Sequence, residues 1–203
     1  MASVLKLKSG SKVVSQQILY EGYEVDGYYI KANVGIDKIE AVMQHFIAMH
    51  KEPLFFILEF PANKDDETEV APGVVETFHK DIYYMDGCSQ EEVLTVLSRS
   101  GEILYNDGFA AFGFGCHESG DEIMFNKYNV LTIYSQNIEK YSDFFVSHKI
   151  EQTEKLITAW DTFTKDTPGI SKKYVSADGK TVYDILKMFK ERGIYLAEQR
   201  EED

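Results

Sequence analysis

Apolar positions along the first two thirds of the chain recur with two distinct periods. Ile36, Ile39, Val42, Met43, Phe46 and Ile47 fall three and four residues apart, so they share one face of a helix from Asp37 to about His50. Lys51-Glu52-Pro53 ends that helix, because proline biases its predecessor out of the helical region. Leu54–Phe60 is almost continuously apolar, as a strand buried on both faces requires, and Pro61 closes it. Upstream, Ile18-Leu19-Tyr20 and Tyr23 predict a strand, Asp26-Gly27 a hairpin turn, and Tyr28–Ala32 the return strand.

Downstream, Glu76–Met85 predicts a strand through Phe78, Ile82, Tyr83 and Tyr84. Ser89 with Glu92 three residues on matches a capping box, opening a helix that carries Val93, Leu94, Val96 and Leu97. A break is expected in it near Ser100-Gly101. Phe109–Cys116 predicts a strand containing glycines, and Met124–Tyr134 a single longer strand rich in β-branched and aromatic residues. The last third reads as mostly helical, over 138–148, 150–163 and a final amphipathic segment with Val182, Ile185, Leu186 and Phe189. Thr181 caps that segment and Arg192-Gly193 ends it; the charged tail Glu198–Asp203 is expected to fray.

Two stretches share an order of strand, helix and strand: Tyr28-Tyr29-Ile30 through Leu54–Phe60, and Tyr83-Tyr84-Met85 through Phe109–Phe114. Together they spell βαββαβ, the split arrangement of ferredoxin-like domains, with an internal duplication as its origin. The expected fold class is therefore α+β, mainly antiparallel, with this core, an extra strand and C-terminal helices. Residues 1–16 carry Lys6, Lys8 and Lys12, no acid and little apolar periodicity, so they are expected to form a flexible arm or an edge strand. Residues 17–203 then form one domain, with a core over 17–134 and a helical segment over 135–203. Residues 62–74 are the clearest loop, acidic and well solvated.

Composition narrows the function classes. A chain of 203 residues with 44% hydrophobic content builds a real core, so disorder is not expected. The net charge of −13 disfavours nucleic acid and anionic membrane surfaces, since both are held through Lys and Arg. Two cysteines, Cys88 and Cys116, make no disulfide framework and are expected as reduced thiols in a cytoplasm.

The densest chemistry lies at Phe112–Glu122. Cys116, His117 and Glu118 there are candidates for thiol or metal-assisted hydrolysis, because an imidazole can activate a thiol. Adjacent residues of a strand point to opposite faces, so Cys116 and His117 need a bend to meet. No Cys-x-x-Cys, His-Glu-x-x-His, calcium-loop or Walker pattern occurs, and neither a metal nor a cofactor is expected. His45 and His50 do not converge on one helix face.

The thirteen tyrosines offer interface anchors, being large, rigid and polar at the tip. An acidic, aromatic-rich domain without a catalytic signature suits a basic protein partner. Asp65, Asp66, Glu67 and Glu69 would face it from the loop, and Glu118, Asp121 and Glu122 from the second segment, with Tyr29 and Tyr84 as anchors. In composition the chain is similar to bacterial immunity proteins, and that analogy implies neutralisation of a basic toxin. The alternatives are a small hydrolase or ligand- or metal-binding protein with a site near Cys116–Glu122, and a self-assembling structural subunit.

Overall fold

The computed structural model describes residues 3–62, 68–71, 74–76 and 79–201. In chain order the elements are β1 (Ser11–Lys12), β2 (Gly22–Asp26), β3 (Tyr29–Asn33), α1 (Ile39–Met49), β4 (Leu54–Pro61), β5 (Thr68–Ala71), β6 (Val74–Glu76), β7 (His79–Cys88), α2 (Gln90–Asn106), β8 (Ala111–Cys116), β9 (Asp121–Phe125), β10 (Val130–Tyr134), α3 (Phe144–Ser147), β11 (Ile170–Ser171), α4 (Val182–Met188) and β12 (Tyr195–Glu201). The fold is α+β. Eight strands form one sheet in the order β12-β7-β4-β8-β9-β10-β3-β2, and every neighbouring pair is antiparallel. Among the described residues no helix is long and apolar enough to cross a membrane.

The local signals act as physics dictates. Ser89 Oγ accepts from Glu92 N at 3.2 Å while Glu92 Oε2 accepts from Ser89 N at 2.9 Å, closing the capping box of α2. α1 turns Ile39, Val42, Met43, Phe46 and Ile47 inward, all buried. The break expected at Ser100-Gly101 does not occur. Ser100 Oγ donates to Val96 O at 2.7 Å, and the helix continues to Asn106.

The strand order is not that of a ferredoxin-like domain. Alternating directions make β3–α1–β4 and β7–α2–β8 both parallel crossovers, but the first spans β8, β9 and β10 while the second spans β4 alone. The expected duplication therefore has no matching geometry. The run Met124–Tyr134 is two strands, because Tyr128 and Asn129 take φ of 56° and 63° and turn the chain. Asn129 holds that turn: its Nδ2 donates to Val34 O at 2.9 Å and to Lys6 O at 3.2 Å, and its Oδ1 accepts from Lys8 N at 2.9 Å.

The N-terminal segment is no free arm. Leu5, Lys8 and Val13 are buried, β1 pairs with β11, and Gly10 N donates to Asn106 O at 2.8 Å. Part of the expected loop at 62–74 is strand, since β5 pairs with β6. Much of the last third is irregular rather than helical. Residues 138–148 hold only short helical turns, and residues 150–158 run along β2, with Thr153 N donating to Tyr23 O and Leu156 N to Glu24 Oε2, both at 2.8 Å, whereas the final amphipathic segment is the helix α4 with Thr181 at its N-cap, as expected. Glu198–Glu201, expected to fray, lie on β12 and pair with β7.

Among the described residues α1, α2 and α4 pack on one face of the sheet. The main core joins α1, α2 and α4 to Leu54, Phe56, Leu58, Phe112, Phe114, Ile123 and Phe125. Alternation sends Phe55, Ile57, Ile82, Ala111 and Met124 to the opposite, outer face, where they form a second cluster with Tyr84. Gly113 and Gly115 make room there. A Cβ on Gly115 would lie 2.1 Å from the Phe55 ring, and one on Gly113 2.0 Å from the backbone oxygen of Ile123. The second obstacle is main chain and cannot swing away. Gly113→Ala is expected to cost about 1–3 kcal/mol through overpacking, read as a lower urea midpoint at unchanged slope; an unaltered midpoint would show that β8 and β9 can separate freely.

Candidate functional site

The Cys116–Glu122 segment ends β8, turns through Gly120 at φ +69°, and begins β9. Strand alternation keeps its nucleophile and its imidazole apart. Cys116 is buried on the helix side, where its thiol donates to Lys51 O at 3.4 Å. His117 points outward with 57% of its side chain exposed, its Nε2 3.1 Å from Asp86 Oδ1 and its ring 4.6 Å from that of Phe55. Glu118 is exposed. The three hydrolytic candidates do not converge. Both cysteines are free thiols, and burial first, then Glu92 and Asp86, push the Cys88 thiol up to about 11, so it is un-ionised at neutral pH.

Asp121, expected on the partner-facing surface, lies instead under the helices in a buried polar network. His50 Nδ1 is 2.7 Å from Phe46 O, and a carbonyl can only accept, so that nitrogen is the donor. Asp121 Oδ2 sits 2.8 Å from Nε2. That is a hydrogen-bond length, and two further donors converge on the same pair. Tyr141 Oη donates to Asp121 Oδ2 at 2.9 Å and lies 3.2 Å from Nε2, while Lys140 Nζ pairs with the carboxylate and lies 3.2 Å from Nε2. Burial holds the His50 imidazole below its ordinary pKa, and Lys140 adds to that depression. The cluster thus gathers one carboxylate, one ammonium, one hydroxyl and one imidazole. It fastens the end of α1, the start of β9 and the 138–141 turn together. His45 and His148 form a separate pair at 3.0 Å, each lowered chiefly by burial.

The outer face carries a different arrangement. Register places Asp26 opposite Tyr29, Tyr29 opposite Tyr134, Tyr134 opposite Glu122, Glu122 opposite Gly115, and Gly115 opposite Phe55. The line continues on β7 through Tyr84 and Asp86 to Tyr195, which pairs with Tyr84 and donates its hydroxyl to Asp86. One line of positions therefore crosses all eight strands, about 34 Å at the usual strand spacing, with an acid or a ring on every strand except β8, where Gly115 stands. Tyr29 is 57% exposed, and its ring centroid lies 5.1 Å from that of Tyr134.

The electrostatics of the band are those of crowded carboxylates. Burial, followed by the Glu59 carboxylate, holds Glu122 above the usual range, with Arg200 pulling back. Tyr84 is raised first by burial and then by Glu122, Glu59 and Asp86. Of the loop acids expected to face a partner, Asp65, Asp66 and Glu67 lie outside the described residues, and Glu69 is on β5. Among the described residues no group of three or more His, Cys, Asp or Glu side chains is arranged to hold a metal ion. No protein-family model, curated protein or solved structure matches this chain.

Proposed function

We propose that the chain is a protein-binding module that docks a basic protein on the outer face of its sheet, as an immunity-type neutraliser of a basic toxin would. The observation that carries this reading is the band from Asp26 to Tyr195 on the face opposite the main core, in which six of the eight strands place a tyrosine or a carboxylate, with Gly115 and Phe55 between them. Rigid aromatic rings supply contact area at low entropic cost, and the carboxylates steer a cationic surface onto them. The net charge of −13 extends that steering beyond the contact itself. Glu118, exposed in the β8–β9 turn beside His117, adds to the acidic rim.

The test begins with partners that co-purify with the tagged chain and are then reconstituted as a purified pair. Asp26→Lys, Glu118→Lys and Tyr29→Ala alter exposed side chains, so folding is expected to survive. Combined, they should slow association with a basic partner by at least about tenfold at low salt and flatten its ionic-strength dependence. Unchanged association rate and affinity, or recovery of no basic partner, would rule the reading out.

A further inference from the structure

The eight-strand sheet ends differently at its two edges. At β2 the edge is covered: residues 150–158 run alongside it, Tyr23 N donates to Glu151 O at 3.1 Å, and Thr153 N donates to Tyr23 O at 2.8 Å. At the other end β12 pairs with β7 alone. Among the described residues no backbone hydrogen bond joins β12 to any other segment, and Tyr195 through Arg200 are all exposed. A strand in that position turns a row of N–H and C=O groups to solvent, and such a row is a template for a further strand.

Sheet edges are commonly blunted by proline, by a bulge or by charge. β12 has no proline. Its bulge lies between Leu196 and Glu198, and leaves Glu198–Glu201 in regular register with Ile82–His79. Its charges are of both signs. Glu198 and Arg200 stand opposite Ile82 and Lys80, so both lie on the outer face, where Ile82 packs. Arg200 Nε and Nη2 each donate to Glu198 at 2.8 Å, which leaves further guanidinium N–H groups as donors. Gln199 is fixed from β7, its Nε2 donating to Asp81 Oδ1 at 2.7 Å.

Symmetry selects a strand that fits this edge. When two identical strands pair antiparallel about a two-fold axis perpendicular to the sheet, the axis passes between one residue and its own copy. Centred on Glu198, the pair opposes two carboxylates; centred on Arg200, it opposes two guanidinium groups. Like charges directly opposite are unfavourable. Centred on Gln199, Glu198 stands opposite Arg200 of the second copy, and Arg200 opposite its Glu198. Both pairs share one face, and their four charges alternate in sign, so the bond between Glu198 and Arg200 within each strand is extended across the axis rather than broken. We infer that β12 pairs with β12 of a second copy of this chain, centred on Gln199, joining two eight-strand sheets into one. The pairing needs no other protein, so it stands apart from the docking proposed for the acidic band.

Sedimentation equilibrium of the full chain alone, over a concentration series, is expected to show monomer and dimer in exchange, with amide hydrogen exchange across 197–201 slowed in the dimer. Glu198→Arg and Arg200→Glu each oppose like charges at both pairs, and should each weaken self-association by at least about tenfold with unchanged circular dichroism. Mixed in equal amounts, the two variants are complementary and should associate as the wild type does. The chain carrying both exchanges opposes unlike charges again and should recover the dimer. A wild type that stays monomeric up to about 1 mM would overturn the inference. Dimers that both single variants form as readily as the wild type would also overturn it, since another surface would then hold them. Weakening in both variants without recovery in the mixture would overturn the register centred on Gln199.

Discussion

Asp121→Ala is expected to lower the unfolding free energy by about 3–5 kcal/mol, the scale for removing one partner of a buried charged pair. The carboxylate is buried, and three groups depend on it. Without it Lys140 loses the carboxylate it pairs with, Tyr141 Oη loses its 2.9 Å acceptor, and His50 Nε2 loses its 2.8 Å partner. Lys140 is partly exposed and can swing outward, but Tyr141 and His50 are packed within the core. Asp121→Asn retains an acceptor for Tyr141 and should lose less. Urea unfolding of the three proteins at one pH checks the order; equal midpoints for wild type and Asp121→Ala would show that the network contributes nothing. The same site predicts acid sensitivity. His50, His45 and His148 all sit below their ordinary pKa of 6.5 in the folded chain. Below that pH the unfolded chain binds protons that the folded chain refuses, so stability falls as pH falls.

The elements written in short-range periodicity are legible in the sequence alone. α1, β4 and the capped start of α2 follow from residues three, four or two apart, and their inward faces are the ones that pattern assigns. Long-range hydrogen bonds decide the rest. Tyr128 and Asn129 leave the strand because Asn129 finds Lys6, Lys8 and Val34, which no local window contains. The polar N-terminal segment packs because β11 and the end of α2 meet it. Strand order is also beyond the reach of pattern, since alternation fixes which face a residue takes but not which strand lies beside it. The site divides the same way. Tyr29, Tyr84 and Glu122 each belong to the outer face by their own strand's parity, yet their alignment in one band depends on register. Asp121 and Glu122 are adjacent on a strand, so they could never both face one partner. His50 carries no local signal of the network: beyond Phe46 O its partners Asp121 and Tyr141 stand 71 and 91 residues away.

The second large effect should come from Lys8 and should take the form of a slope rather than a fixed loss. Its side chain is fully enclosed, with Nζ on two carbonyls and 5.2 Å from the centroid of the Phe125 ring. Burial pushes its pKa from 10.5 down to about 7, with Asp107 opposing and Lys127 reinforcing the fall. Asp107 is itself buried and accepts from the backbone N–H groups of Phe109, Ala110 and Tyr174. Between pH 7 and pH 10 the unfolded chain therefore holds a proton on Lys8 that the folded chain has released. The unfolded state binds more protons over that window, so the contribution of Lys8 to stability rises with pH, by on the order of 4 kcal/mol across it. Below pH 7 both states are protonated, and the folded chain bears the full cost of enclosing an ammonium. Lys8→Met has no proton to lose. It should stand closest to wild type near pH 6, where the lost hydrogen bonds to Ala110 and Asn126 are offset by relief of the buried charge, and should fall progressively behind as pH rises to 10. Urea midpoints for both proteins across that range, each referred to its own slope, measure the divergence. Parallel profiles would mean that Lys8 keeps its proton in the folded chain, and would place the ammonium among stronger acceptors than those two carbonyls.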